Sequence, residues 1–312
     1  MFKVVSMFAG IGGICLSFEN NECEVIWANE IDKNAAKTYV ANFPKVKLNI
    51  GDISHVKMDE IPNFDILTAG FPCQTFSSVG LKKGFKDPRG SLFFEIIKVV
   101  KLRKPRVVFL ENVANLTKHD NGETLKTIIG SLEECGYNVV YKTMNAKDFG
   151  NIPQQRNRIY IVAFKYKRDF KRFSFPDRID LTRNAFDLLD TFDSDNKYSM
   201  SNHKQYSKMI EYMKSYDRIY RFTDWGLSSG MPGICPTLLA AMGSRFERIP
   251  FFFDKETIRL LTPKECARLQ GFPEYFVFPD QKEKEIYKQL GNSVCVPVVS
   301  RIAHKIVGAL KI

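Results

Sequence analysis

Over the first two-thirds of the chain, short β-branched and apolar runs alternate with longer amphipathic stretches. Val4–Phe8, Glu24–Ala28, Phe64–Gly70, Arg106–Leu110, Tyr137–Asn145 and Ile159–Phe164 have the length and composition of strands. Between them, Ile31–Asn42, Ser91–Leu102 and Asn121–Cys135 repeat their apolar positions at a helical period. Alternation at this spacing predicts an α/β fold, a mostly parallel sheet with helices on both faces. After residue 180 the pattern breaks. Residues 180–258 hold short irregular segments, five aspartates from Asp180 to Asp195, and Gly, Pro and Ser punctuation over Gly226–Gly233. A smaller, loop-rich second domain is expected over 180–272, followed by a hinge at 273–284. A helical period returns at Pro263–Gln270. Val296–Leu310 reads as a helix rejoining the first domain, so that 1–179 is completed by 285–312.

Composition sets limits. With 312 residues, 44% hydrophobic and 26% charged, the chain has an ordinary globular mix, which excludes disorder and fibre. No apolar run approaches the ~20 residues that span a bilayer. Met1-Phe2-Lys3 leads straight into a strand rather than a signal peptide. A cytoplasmic protein without membrane attachment is expected. The seven cysteines include no C-x-x-C pair and the four histidines are scattered, so neither disulfides nor a metal centre is expected.

Charge changes the picture more. There are 46 Lys+Arg against 35 Asp+Glu, a net +11. Residues 1–80 carry −3, residues 81–180 carry +10, residues 181–260 carry +1 and residues 261–312 carry +3. A basic block of that size points to a polyanionic partner.

Phe8-Ala9-Gly10-Ile11-Gly12-Gly13 follows the first strand and precedes a helix, where glycines let the backbone turn tightly and approach a nucleotide. Cys15 stands where a dinucleotide fingerprint has Gly or Ala, which counts against a pyrophosphate ligand. Glu30 and Asp52 end the next two strand-like segments. An acid about twenty residues past the glycines is placed to accept from ribose hydroxyls, and a second could take an adenine amino group. Each acid could equally cap a helix. In the −3 block, the turn and the acids together favour a nucleoside without negative charge, and S-adenosyl-L-methionine fits.

Gly70-Phe71-Pro72-Cys73-Gln74-Thr75-Phe76-Ser77 ends the Phe64–Gly70 strand, and open α/β folds do their chemistry at such strand ends. A thiol on that corner is positioned to act as a nucleophile once its pKa falls. A lone cysteine is more often a small buried apolar residue. Glu111-Asn112-Val113 ends the next strand. Gln154-Gln155-Arg156-Asn157-Arg158 enters another, and strand alternation sets Gln154, Arg156 and Arg158 on one side.

Taken in order, Phe8–Gly13, Gly70–Ser77, Glu111–Val113, Gln154–Arg158 and Gln289–Val294 resemble the motifs of the C5-cytosine DNA methyltransferases. Order and spacing match from residue 4 to about 300, apart from 180–258. Leu261–Arg268 is similar to the family's penultimate motif. The resemblance implies a Rossmann-like methyltransferase domain and a loop-rich target recognition domain, of the bacterial restriction-modification type. It implies that Cys73 attacks cytosine C6, that Glu111 holds the N3/N4 edge, and that Arg158 with Arg156 supports the adduct. It implies cofactor contacts from Phe8, Gly10, Gly12, Glu30, Ile31, Asp52, Leu92 and Asn292. Ile31 stands where the family often has a tryptophan stacked on adenine.

The cytosine lies inside a duplex and must be flipped out before chemistry. Ser77–Gly90 resembles the loop that closes over it, and residues 81–90 carry +3. Ser77, Lys82, Lys83 and Arg89 are its expected DNA contacts. Pro236-Thr237-Leu238 resembles the Thr-Leu pair the family sets beside DNA, and Ser228–Arg248 is expected to hold base-reading groups, with Arg245 and Arg248 as candidates. Gly243-Ser244 reads equally well as a hairpin turn. Double-stranded DNA is the expected partner of a monomeric enzyme. A restriction endonuclease is expected as a functional, not a physical, counterpart. A tRNA cytosine-C5 methyltransferase of the same architecture is the alternative, but the Cys-Phe-Thr-like segment expected of it is missing. A dinucleotide-dependent oxidoreductase would explain the glycine turn but not Cys73, Glu111 and Arg158 together.

Overall fold

The six apolar runs become strands of one sheet, joined by a seventh. The computed structural model describes residues 1–71, 91–190, 197–204, 206–213, 215–254 and 257–311. Strands β1 (Phe2–Met7), β2 (Cys23–Glu30), β3 (Lys47–Ile50), β4 (Ile66–Gly70), β5 (Val107–Val113), β6 (Asn138–Asn145) and β7 (Asn157–Phe164) lie in the order β3-β2-β1-β4-β5-β7-β6. The pairs from β3 through β5 are parallel, and β7 runs antiparallel to β5. This is a doubly wound α/β sheet with one reversed strand. Strand β3 escapes the sequence pattern because it is a polar edge strand with no fully buried position.

Burial alternates along the strands as the pleat requires. Val5, Met7, Leu67, Ala69, Val108 and Leu110 face one way, in a cluster with Phe93, Ile96, Val100, Ile128 and Leu132 of the helices Ser91–Arg103 and Glu123–Glu134. From the intervening positions, Phe109 meets Phe18 of the helix Gly13–Glu19 edge to face, with ring centroids 5.4 Å apart. Helices therefore cover both faces, as alternation predicts. Among the described residues no single helix is long and apolar enough to cross a membrane.

The chain forms two compact units, Met1–Met144 with Asn157–Asp177 and Val299–Ile312, and Asn145–Arg156 with Arg178–Val298. From Val299 onward the terminal helix Val296–Leu310 joins the first unit, burying Ile302, Ala303 and Ile306. Residues 145–156 and 285–298, grouped above with the first domain, pack instead in the second unit. Gln154 and Arg156 spend their side chains on backbone groups there.

That second unit is less irregular than its sequence suggests. Strands β8 (Tyr220–Thr223), β9 (Gly226–Ser229), β10 (Phe251–Asp254) and β11 (Thr257–Leu260) form an antiparallel sheet in the order β11-β10-β8-β9. Its edge strand β11 carries a buried ionic cluster. Buried Arg259 reaches Glu265 at 2.8 and 3.0 Å and Asp254 at 2.8 Å. Glu265 in turn caps the helix Pro263–Arg268 through the Thr262 N–H at 2.7 Å. Removing one member of such a buried pair strands the other without its charge partner.

Candidate active site

The glycine turn is built by backbone strain and one carboxylate. Phe8, Gly10 and Gly12 all have positive φ, at 55°, 57° and 91°. A Cβ on Gly12 would stand 2.2 Å from the Phe43 ring, whereas one on Gly10 would meet nothing within 4 Å. Close packing requires glycine at 12; open space surrounds Gly10. Glu30 accepts from the Gly10 N–H at 2.7 Å and the Asp32 N–H at 2.8 Å, so the acid that ends β2 also shapes the loop after β1.

Glu30 pairs in register with Ile50 of β3, and the Gly51 N–H donates back to the Glu30 carbonyl at 3.0 Å. Ile31 and Ile50 are exposed, at 62% and 53%. Two uncovered isoleucines beside two acids offer an apolar platform with hydrogen-bond acceptors, which suits a nucleoside rather than a phosphate. Asp52 caps the turn Ile53–His55, accepting from the Ser54 N–H at 2.9 Å and its hydroxyl at 2.8 Å. The Ser54 N–H, then its hydroxyl, hold the Asp52 carboxyl below its ordinary value. Leu92 is half-buried against the first unit's core. The residues of this cradle fit a cationic nucleoside cofactor.

Next along the sheet, Gly70 at the end of β4 lies in register with Glu111 on β5. A Cβ on Gly70 would sit 3.6 Å from the Glu111 carboxylate. Arg158, the second residue of β7, lies opposite Val113, and its Nε lies 3.2 Å from Glu111 Oε1. The reversed strand thus delivers the guanidinium to the carboxyl end of a parallel strand. Asn112 donates to the Phe71 carbonyl at 2.8 Å, tying the exit of β4 to the same end of β5.

Cys73 lies two residues beyond Phe71 and outside the described residues, as do Ser77, Lys82, Lys83 and Arg89. The remaining six cysteines are unsuited to attack. Five are buried, and burial pushes Cys15 up to about 11, Cys23 and Cys295 to about 12, and Cys235 and Cys266 higher still. Cys135 is half-buried and its thiol is also raised.

The family match decides the class. The C-5 cytosine-specific DNA methylase family model covers residues 2–308. The chain belongs to this family. This methylase is similar to the Type II methyltransferase M.Bsp6I of Bacillus sp. (strain RFL6), 46% identical over 98% of both chains. It is also similar to M.HhaI of Haemophilus parahaemolyticus, 37% identical over 99% of this chain and 95% of the relative. Its fold resembles that of the S. pombe Dnmt2 methyltransferase, with a TM-score of 0.75 at 23% identity over the whole of both chains. The full-length relatives favour the DNA reading over the tRNA alternative. The protein is a cytosine-C5 DNA methyltransferase.

Several expected residues of the methylase are employed differently. Strand β7 begins only at Asn157, so Arg156 does not follow its alternation. The buried Arg156 guanidinium donates to the Leu238 carbonyl at 2.9 Å, to the Gly291 carbonyl at 3.2 Å and to the Ser293 carbonyl. Gln154, fully buried, donates to the Leu269 carbonyl at 2.6 Å and accepts from the Leu238 N–H at 3.2 Å. Arg158, in the first unit, pairs with Glu111. Asn292 is exposed at the end of the helix Glu283–Asn292 in the second unit, and its neighbour Gly291 leaves a Cβ only 2.1 Å from the Leu239 backbone.

Thr237 donates to the Gln155 carbonyl, and its own carbonyl accepts from Arg221 at 2.8 Å. Arg245 and Arg248 both pair with Asp224, and Arg248 also donates to the Phe222 carbonyl at 3.2 Å. The Arg248 head is thereby committed to the hairpin, while Arg245 keeps an exposed side chain.

The basic block also divides. Its first part lies outside the described residues. Lys104, Lys165, Lys167, Arg168 and Lys171 gather where β5 starts and β7 stops, with the Lys165 N–H on the Arg106 carbonyl at 2.9 Å. That is the sheet end away from Glu111.

Proposed function

We propose that the methylase transfers a methyl group from S-adenosyl-L-methionine to C5 of a cytosine flipped out of a specific duplex sequence, through a covalent bond between Cys73 and C6. What carries this reading is the convergence of Gly70, Glu111 and Arg158 at one sheet end, three residues before Cys73. C5 of neutral cytosine is a poor nucleophile. Addition of the Cys73 thiolate to C6 moves the ring electrons onto C5 while N3 takes a proton. Glu111, braced by Arg158, holds the N3/N4 edge so that this protonation is favoured. S-adenosyl-L-methionine, when bound, supplies the electrophilic methyl group. Loss of the C5 proton to water then re-forms the C5–C6 double bond and expels the Cys73 thiolate, and N3 gives up the proton it took.

The cradle of Phe8, Gly10, Gly12, Glu30, Ile31, Asp52 and Leu92 would hold the cofactor, and Asn292 is a further cofactor contact implied by the resemblance. Residues 180–272 would read the target, with Thr237 and Arg245 among the contacts. The loop bearing Ser77, Lys82, Lys83 and Arg89 would close on the phosphates. Arg156 serves as a positioning residue for the Thr237–Leu238 segment. The enzyme is read as a cytoplasmic monomer of a restriction-modification system, met by its endonuclease only at the DNA.

A duplex carrying 5-fluorocytosine tests the chemistry, because the fluorine cannot leave as a proton. Wild-type protein with cofactor should give a complex that survives denaturing electrophoresis, and Cys73→Ala should give none and no methyl transfer. Turnover by the alanine variant would overturn the mechanism. Bisulfite sequencing of a plasmid treated with the enzyme should reveal the site.

A further inference from the structure

The two tryptophans of this protein are placed in opposite ways. Trp27 is 1% exposed inside β2, and Trp225 is 97% exposed at the tip of the β8–β9 hairpin. An indole left almost wholly in water is the least economical use of the largest apolar side chain, so the tip that carries it calls for a contact.

That tip is rigidly built. Thr223 pairs with Gly226, leaving a two-residue loop of Asp224 and Trp225. The Thr223 hydroxyl donates to the Gly226 carbonyl at 2.8 Å and accepts from the Trp225 N–H at 3.3 Å. Gly226 has φ at 119°, which suits glycine. From the side, Arg245 and Arg248 hold Asp224. At the root, Arg221 of β8 donates to the Thr237 carbonyl, so the hairpin is fixed to the segment expected beside DNA. The two arginines therefore orient their neighbour. Beside the indole, Lys208, Met209, Tyr212 and Phe222 line a hollow of about 380 Å³. An aromatic surface flanked by the exposed cations Lys208 and Arg245 matches a nucleobase with its phosphates.

We propose that Trp225 is a DNA contact of the recognition unit, its indole inserted as a wedge at a base step of the bound duplex, and that the Arg245–Asp224–Arg248 pairing presents it. The proposal rests on the reading of residues 180–272 as the target-recognition part. A stacked aromatic contributes to affinity without choosing strongly among bases. Trp225 thus anchors the hairpin on the duplex while hydrogen-bonding groups nearby select the sequence.

Because Trp27 is buried, fluorescence from a solvent-exposed tryptophan comes from Trp225 alone. Titrating the enzyme with a duplex that contains the site found by bisulfite sequencing should quench this exposed component. In Trp225→Phe the exposed signal, and with it the quenching, should be missing. Trp225→Ala should weaken duplex binding by roughly tenfold or more with an unchanged melting temperature, since the side chain supports no packing. Overturning results are a wild-type Kd for Trp225→Ala, no quenching on saturation with duplex, or a change of sedimentation coefficient in place of a change in DNA affinity, which would assign the indole to a protein partner. If 5-fluorocytosine still traps Cys73 while Trp225→Ala is neutral, only this proposal falls; if the trap fails, the cytosine reading falls first.

Discussion

At the carboxyl ends of β2, β4 and β5 the sheet presents Glu30, Gly70 and Glu111, joined by Arg158 at the start of β7. At its other end it presents Lys104, Arg106, Lys165, Lys167, Arg168 and Lys171. The first set is nearly balanced in charge and partly buried. The second is strongly basic, with Asp169 taking up Arg106 at 2.9 Å and Arg168 at 3.1 Å. Lys167 and Lys171 make no ion pair among the described residues and stay in water. Five residue steps along β5, at ~3.3 Å each, put roughly 17 Å between Arg106 and Glu111. That is about twice the Debye length in physiological salt. Charge that looks continuous in sequence is therefore electrically separate in the fold, and density of lysine does not locate the chemistry.

The sharpest way to break this contrast is at Glu111. Glu111→Gln keeps the shape and removes the charge proposed to hold the cytosine edge, and single-turnover methylation should slow by about 10²–10⁴-fold. A loss of less than tenfold would deny the carboxyl end its special role. The glycine turn gives the next effect. Gly12→Ala forces a methyl group against the Phe43 ring, and urea unfolding should show a loss of about 1–3 kcal/mol. Gly10→Ala meets no neighbour, so its stability cost should stay near 1–2 kcal/mol from backbone strain alone, while the KM for S-adenosyl-L-methionine rises. Equal KM values for Gly10→Ala and wild type would mean that the open space is not the cofactor's. The smallest effect belongs to the basic end. The double variant Lys167→Gln/Lys171→Gln should keep kcat/KM within about twofold and leave the salt slope of DNA binding unchanged. A slope reduced by about 2 would show both lysines on phosphates and collapse the distinction.

What was legible in the sequence follows from how local each signal is. Strands such as Ile159–Phe164 and helices such as Ser91–Leu102 announce themselves because burial on two faces demands unbroken apolar runs and burial on one demands a period. β3 and the four-residue strands of the second unit lack such runs, and their pairing partners are distant in sequence. Glu30, Asp52, Glu111 and the glycines could be read because each sits at a strand end, where position follows from the fold class. Arg156 could not be assigned by alternation, since a period of two applies only once the strand has begun at Asn157. The tie of Arg248 to Asp224 spans 24 positions and depends on hairpin geometry that no local pattern encodes.

The grip of Arg156 on the carbonyls of Leu238, Gly291 and Ser293 has a consequence for inheritance. Carbonyl oxygens are the same in every residue, so this joint does not register which side chains are mounted beyond it. Substitutions of the Leu238 side chain or its neighbours that leave these carbonyls in place can accumulate without loosening this joint. If residues 180–272 read the target as proposed, a new recognition sequence could arise by exchanging side chains around this joint.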